Sequence, residues 1–143
     1  MCLIVDTKKR PTKARKDLVI YKIVEEVDGK LVTPFQSKPV NIGETYEEKG
    51  KPQCSVENIN EKTIRKGMFH SYPDIQEAER AKAIMQGISS TRKFKIAKCI
   101  IPKGSLFIEG YSMIYHTCFF WTVEEYKFRS VGSTAIKYLS FVS

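Results

Sequence analysis

Apolar positions along the chain recur in short alternating runs, separated by polar stretches containing Pro or Gly, and that spacing predicts β-structure over most of its length. The first clear run lies in "DLVIYKIVEEVDGKLVTPF", where Leu18 to Val24 is rich in β-branched and aromatic residues. Asp28-Gly29 follows, a pair suited to a type I′ turn, and Leu31-Val32 begins a return strand, so the segment predicts a hairpin. Pro34 and Pro39 then break regular pairing, and "NIGETYEE" holds a further short strand opened by Gly43. Residues 49–66, "KGKPQCSVENINEKTIRK", are polar without a period and predict a long loop, a length more often found where a loop has a function. Further on, "KFKIAKCII", "LFIEGY", "MIYHTCFFWTV", "EEYKF" and "IKYLSFV" all have strand character. In "KFKIAKCII", Phe94, Ile96 and Ile100 alternate against Lys93, Lys95, Ala97 and Cys99. "IPKGS" between the first two has the composition of a type I turn.

A helical period occupies one place, about residues 73–87. Ile75, Ala78, Ala81 and Met85 form its apolar stripe, with Glu79, Arg80 and Lys82 on the wet side. Pro73 suits the first turn, Asp74 and Glu77 make a D-x-x-E capping pattern, and Gly87 suits the stop. The expected fold is therefore α+β: a mostly antiparallel sheet of about six to eight strands packed on one main helix. At 143 residues the chain reads as a single domain spanning 1–143, with a basic linker at about 8–16 and the polar loop at about 49–66.

Charge changes this picture more than composition does. The net charge is +8, and residues 8–16 carry Lys8, Lys9, Arg10, Lys13, Arg15 and Lys16 with no acid. Arg80 to Lys103 adds seven basic residues, again with no acid. Such a chain suits nucleotides, nucleic acid or acidic protein surfaces as partners. No apolar stretch approaches the roughly 20 residues of a membrane span, and "MCLIVDTKKR" is not patterned as a secretory signal. No membrane partner is expected, and Cys2, Cys54, Cys99 and Cys118, with no close pair, read as reduced thiols in a cytoplasm. His116 and Cys118 share a strand face, but the close ligand pairs of a zinc site are missing, so neither metal nor cofactor is expected.

The candidate chemistry centres on "GMFHSYPDIQEAE". His70 precedes a helix N-terminus, where N–H groups favour anions, and Ser71 and Tyr72 add hydroxyls at the same corner. With Lys22, Lys103 and Ser105, this corner forms a candidate anion site. The competing reading makes His70 a structural residue at the end of a strand, its imidazole tied to a backbone carbonyl. Cys2 as an N-terminal nucleophile is a further option, set against a half-buried thiol on an edge strand. The C-terminal aromatics, Tyr111 to Phe128, read as core. Walker, dinucleotide-binding and nucleophile-elbow motifs are absent from the sequence.

Taken in order, "DLVIYKIV", "GETYE", "KGMFHSYPDIQEA" and "KCIIPKGSLFIEG" resemble a group of small uncharacterised proteins from gut bacteria of the Bacteroides type and their phages. The resemblance spans roughly residues 1–112, with Met68 inside the G-x-H corner and Phe107 in place of a frequent Tyr. It implies a fold and a mobile-element or phage origin, with a bacterial host cytoplasm or a virion as the setting. A fainter similarity links Tyr21-Lys22 and Pro102-Lys103-Gly104-Ser105 to ADP-ribosyltransferases. It implies an NAD-using enzyme with Tyr21, His70 and a glutamate at 109, 124 or 125, although Glu124 and Glu125 point to opposite faces. The sequence thus predicts a non-enzymatic module for an anionic ligand. The transferase and an oligomerising virion or assembly component are its alternatives.

Overall fold

The computed structural model describes residues 3–118 and 122–142. In chain order its strands are β1 (Leu3–Asp6), β2 (Thr12–Lys13), β3 (Leu18–Val27), β4 (Lys30–Val32), β5 (Thr45–Glu47), β6 (Gln53–Val56), β7 (Glu61–Lys66) and β8 (Phe69–Ser71). The helix α1 (Ile75–Ile88) follows, and then β9 (Lys93–Ile101), β10 (Leu106–Cys118), β11 (Thr122–Ser133) and β12 (Ala135–Val142). The expected α+β class with one helix on antiparallel strands holds among the described residues. The strands divide, however, between two sheets instead of one of six to eight. One runs β6-β7-β1-β10-β11-β8 with β2 also on β10, and the other runs β4-β3-β9-β12-β5.

The second sheet is built around β9. Ala97, Cys99 and Ile101 face the space between the sheets, where they pack with Ile20, Val24, Val131, Ile136 and Tyr138. Phe94 and Ile96 face the other way, under the Ala78, Ala81 and Met85 stripe of α1. Ile100, grouped with them by the alternation, is only half-buried, because the helix covers just the first part of the strand. Burying a side chain such as Phe94 or Met85 stabilises by about 1.5–3 kcal/mol, so these two clusters hold the layers together.

Local chemistry sets the element ends. Asp28 and Gly29 both have positive φ (51° and 77°), as the β3–β4 turn requires. Asp74 caps α1 by accepting from the Glu77 N–H at 2.9 Å. Pro73 stands before that cap, not within the first turn, and Gly87 lies inside the helix, not beyond it. The stop comes at Ser89, whose N–H bonds the Met85 carbonyl at 3.0 Å. Glu77 does not close a capping box. It accepts the Arg129 N–H at 2.7 Å, while Arg80 donates to the Lys127 carbonyl, so helix side chains occupy backbone groups on the free edge of β11.

Two segments differ from expectation. Residues 49–66 are not a loop but contain the β6–β7 hairpin. Its turn is closed by the Asn58 side chain, which accepts from the N–H groups of Asn60 and Glu61 at 2.8 and 2.9 Å. Residues 8–16 are not a free linker. Thr12 and Lys13 pair with Phe107 and Leu106, and Ala14 is buried, its N–H on the Ser105 carbonyl at 2.8 Å.

Gly110 marks the tightest strand approach: a Cβ there would lie 2.2 Å from the Ile4 carbonyl oxygen. Gly110→Ala is expected to push β1 off β10 and to destabilise by at least about 1–3 kcal/mol, read as a lower urea midpoint.

Candidate functional site

The two sheets meet at one place on β3. Tyr21 and Tyr72 exchange main-chain hydrogen bonds of 2.9 and 2.7 Å. Extending that antiparallel register by two residues would set Ile23 opposite His70. Instead His70 stays in register with Gly132 of β11. Its carbonyl, which faces β3, accepts from the Lys22 ammonium at 2.6 Å. On the other side of the gap β4 pairs with β3 only from Glu25 onward, and Pro34, with no N–H to offer, follows it. The sheets therefore diverge, and the space between them is a cavity of about 540 Å³.

Residues 33–40 form a roof over this space. Thr33 and Lys38 close it, with the Thr33 N–H on the Lys38 carbonyl at 2.9 Å and the Lys38 N–H on Thr33 Oγ1 at 3.1 Å. Its stem is fixed from β9's side: Arg92 donates to both Glu25 carboxylate oxygens at 2.8 Å and to the Pro34 carbonyl at 2.6 Å. That bidentate pairing lowers the Glu25 pKa and raises that of Arg92. The apolar walls come from Phe35, Val40, Tyr46, Met85 and Tyr138, and the charged ones from Lys22, Lys38, Lys66 and Glu48.

Lys22 has no carboxylate within ion-pair distance among the described residues. Burial lowers its pKa from 10.5 to about 8, with a small opposing pull from Cys99. Cys99 itself is held up to about 12 by burial. His70 as a residue is half-buried, yet its Nε2 is cut off from water and has no partner among the described residues. Burial first, and the Lys22 charge second, hold its pKa down to about 3, so the imidazole is neutral near pH 7. Its ring packs edge-on to Tyr72, centroids 5.2 Å apart, and Tyr72 packs edge-on to Phe128 at 6.1 Å.

Lys22, His70 and Tyr72 thus share the cavity wall, while Ser71, Lys103 and Ser105 do not. Ser71 faces the opposite side of β8, fully buried, with its Oγ donating to the Val131 carbonyl at 3.4 Å. Lys103 and Ser105 lie in the β9–β10 turn, where Asp17 accepts the Lys103 N–H at 2.8 Å. The helix N-terminus is also not the anion site, since the Asp74 carboxylate already fills it and carries Arg129 against it. Lys8, Lys9, Arg10, Lys13, Arg15 and Lys16 are all exposed. The Lys9 ammonium donates to the Glu109 carbonyl at 2.8 Å. Glu109, Glu124 and Glu125 are exposed as well and do not line the cavity, and Tyr21 packs against the core beneath α1. No metal-binding cluster occurs among the described residues. Cys2, Phe119, Phe120, Trp121 and the Cys118 side chain lie outside the described residues.

Sequence reasoning missed the roof and the tyrosines Tyr46 and Tyr138. "TPFQSKPV" does hold a signal, two prolines bracketing an aromatic and a lysine. No helix among the described residues is long and apolar enough to cross a membrane. Neither a family model nor a curated protein nor a solved structure matches the chain.

The neutral His70 gives a pH signature. Between about pH 6.5 and 3 the unfolded chain takes up a proton that the native state refuses, so stability falls as pH falls. Urea midpoints at pH 7 and 5.5 should show wild type losing up to about 1.4 kcal/mol per pH unit more than His70→Phe. Equal slopes in the two proteins would contradict the sealed, neutral imidazole.

Proposed function

We propose that the protein is a binding module for a small organic anion of nucleotide size, taken up where the two sheets diverge. Lys22 carries this reading. Lys22 is half-buried, and an ammonium held there with an uncharged carbonyl as its hydrogen-bond partner is costly to fold, a cost that an anionic ligand would offset. Lys38 and Lys66 add positive charge against the single carboxylate of Glu48. Phe35 and Tyr46 offer apolar faces to a flat body such as a base, and the volume suits a ligand of that size. For the setting we propose a bacterial cytoplasm and a phage or mobile-element origin, supported by the series of motifs described above.

Thermal shift with AMP, ATP and cyclic nucleotides tests the reading. Ligand at about a hundred times Kd stabilises by about 2.7 kcal/mol, a rise of several degrees. Lys22→Met, which replaces a buried charge with a side chain of similar length, should fold and lose about 10- to 100-fold in affinity, the worth of one charge-assisted hydrogen bond. Affinity should also decline as pH rises through 8, where the ammonium becomes an amine. No response to any of these anions, or one that Lys22→Met leaves unchanged, would contradict the proposal.

A further inference from the structure

We propose that Lys22 is a covalent capture site, its amine condensing with the aldehyde or ketone carbonyl of an anionic ligand to form an imine. The proposal rests on the cavity reading and names the ligand more closely: a compound carrying both a carbonyl and an anionic group. Two features of the geometry point to it. Lys22 is anchored on β3 in register with Ala97, beside the fully buried Cys99, so its stem is held by rigid sheet and not by a loop. Its nitrogen is oriented by one hydrogen bond of 2.6 Å to the His70 carbonyl, and that acceptor has no proton to give it. A neutral amine keeps this bond through one N–H and leaves its lone pair free for a carbonyl carbon in the cavity.

The other cationic groups of the cavity take a different part. Lys38 and Lys66 are exposed, and they suit the ligand's anionic end. Glu48 is the acid in the lining, and His70, Tyr72, Cys99, Tyr46 and Tyr138 are the other titratable groups around the amine, with burial raising the Tyr72 phenol as well. None of these competes as a nucleophile near neutral pH: the Cys99 thiol is held up to about 12, and the tyrosines Tyr46 and Tyr138 are raised. With the Lys22 pKa near 8, roughly a tenth of the amine is neutral at pH 7, against about three parts in ten thousand for an ordinary lysine.

The step balances without a further reactant. The nitrogen lone pair adds to the carbonyl carbon to give a carbinolamine. One proton passes from nitrogen to oxygen as the adduct forms; the C–O bond then breaks, and the hydroxyl leaves as water with the remaining nitrogen proton. The net change is R₂C=O + H₂N–Lys22 → R₂C=N–Lys22 + H₂O, with nothing oxidised or reduced.

Pyridoxal 5′-phosphate, an aromatic aldehyde with a phosphate, is a suitable probe. The full chain is treated with less than one equivalent at pH 6 to 8.5, reduced with borohydride and mapped by peptide mass. Label is expected to concentrate on Lys22, at a rate at least about tenfold above the average lysine. It should rise with pH through 8, the opposite of the trend expected for simple anion pairing. Lys22→Arg keeps the charge but forms no imine, and it should lose this fast labelling while remaining folded. Label spread over exposed lysines such as Lys30 and Lys49, with Lys22 bare, would overturn the proposal. AMP binding with Lys22 unlabelled would leave the cavity reading standing and remove covalent capture. Label on Lys22 without any nucleotide response would do the reverse.

Discussion

Two main-chain hydrogen bonds between Tyr21 and Tyr72 join the sheets, and the arrangement of the molecule around the cavity follows from where that joint stops. Past it, β8 remains with β11 while β3 remains with β9, and the Lys22 ammonium stands where a second rung of the ladder would have been. Helix α1 packs on β3, β9 and β11 at once and so clamps both sheets beside the joint. An extended seam would have brought β3 and β8 together along their length. A single bridge leaves a space between the sheets, and the chain between β4 and β5 roofs part of it.

This arrangement sets local function against stability. Lys22 and His70 are each held away from the protonation state they would have in an unfolded chain. Below about pH 8 the unfolded state accommodates the lysine charge better, so that stability rises with pH between about 8 and 10.5; for His70 the corresponding window is about 3 to 6.5. The clusters of Ile20, Val24, Ile101, Ile136 and Tyr138 between the sheets, and of Phe94, Ile96 and Phe128 under the helix, supply the burial that tolerates this. Strongly shifted groups gathered in one cavity are typical of sites that bind or react, which is why Lys22 is the centre of both proposals.

Much of this was legible in the residues, and the exceptions have physical causes. Asp28-Gly29 and the Ile75, Ala78, Ala81, Met85 stripe dictate their elements locally, so the hairpin and the helix read directly. His70 reads as a residue at the end of a strand before a helix, and Lys22 as one of the groups that complete its anion corner. The β6–β7 hairpin did not read, because β6 lies at the sheet's edge and carries no core side chains, and Ile64 alone gives β7 a buried apolar position. The division into two sheets did not read either. It depends on long-range pairing, such as β1 between β7 and β10, to which alternation within a strand is blind. Lys103 and Ser105 were grouped with His70 by chemistry, and the topology places them in a turn outside the cavity.

The fixing of the roof at Pro34 bears on time as well as on shape. Arg92 ties the stem of residues 33–40 to Glu25, whereas Phe35 at the crest is 55% exposed. Exposed surface loops in general move on the nanosecond-to-microsecond scale, and a displacement of the crest would break no strand pair. Were a ligand to enter past this crest, its passage would be a local event decoupled from the folding of either sheet. On the binding reading proposed above, a guest's residence time would be set by the hold of the cavity walls, not by the slow opening of the whole molecule.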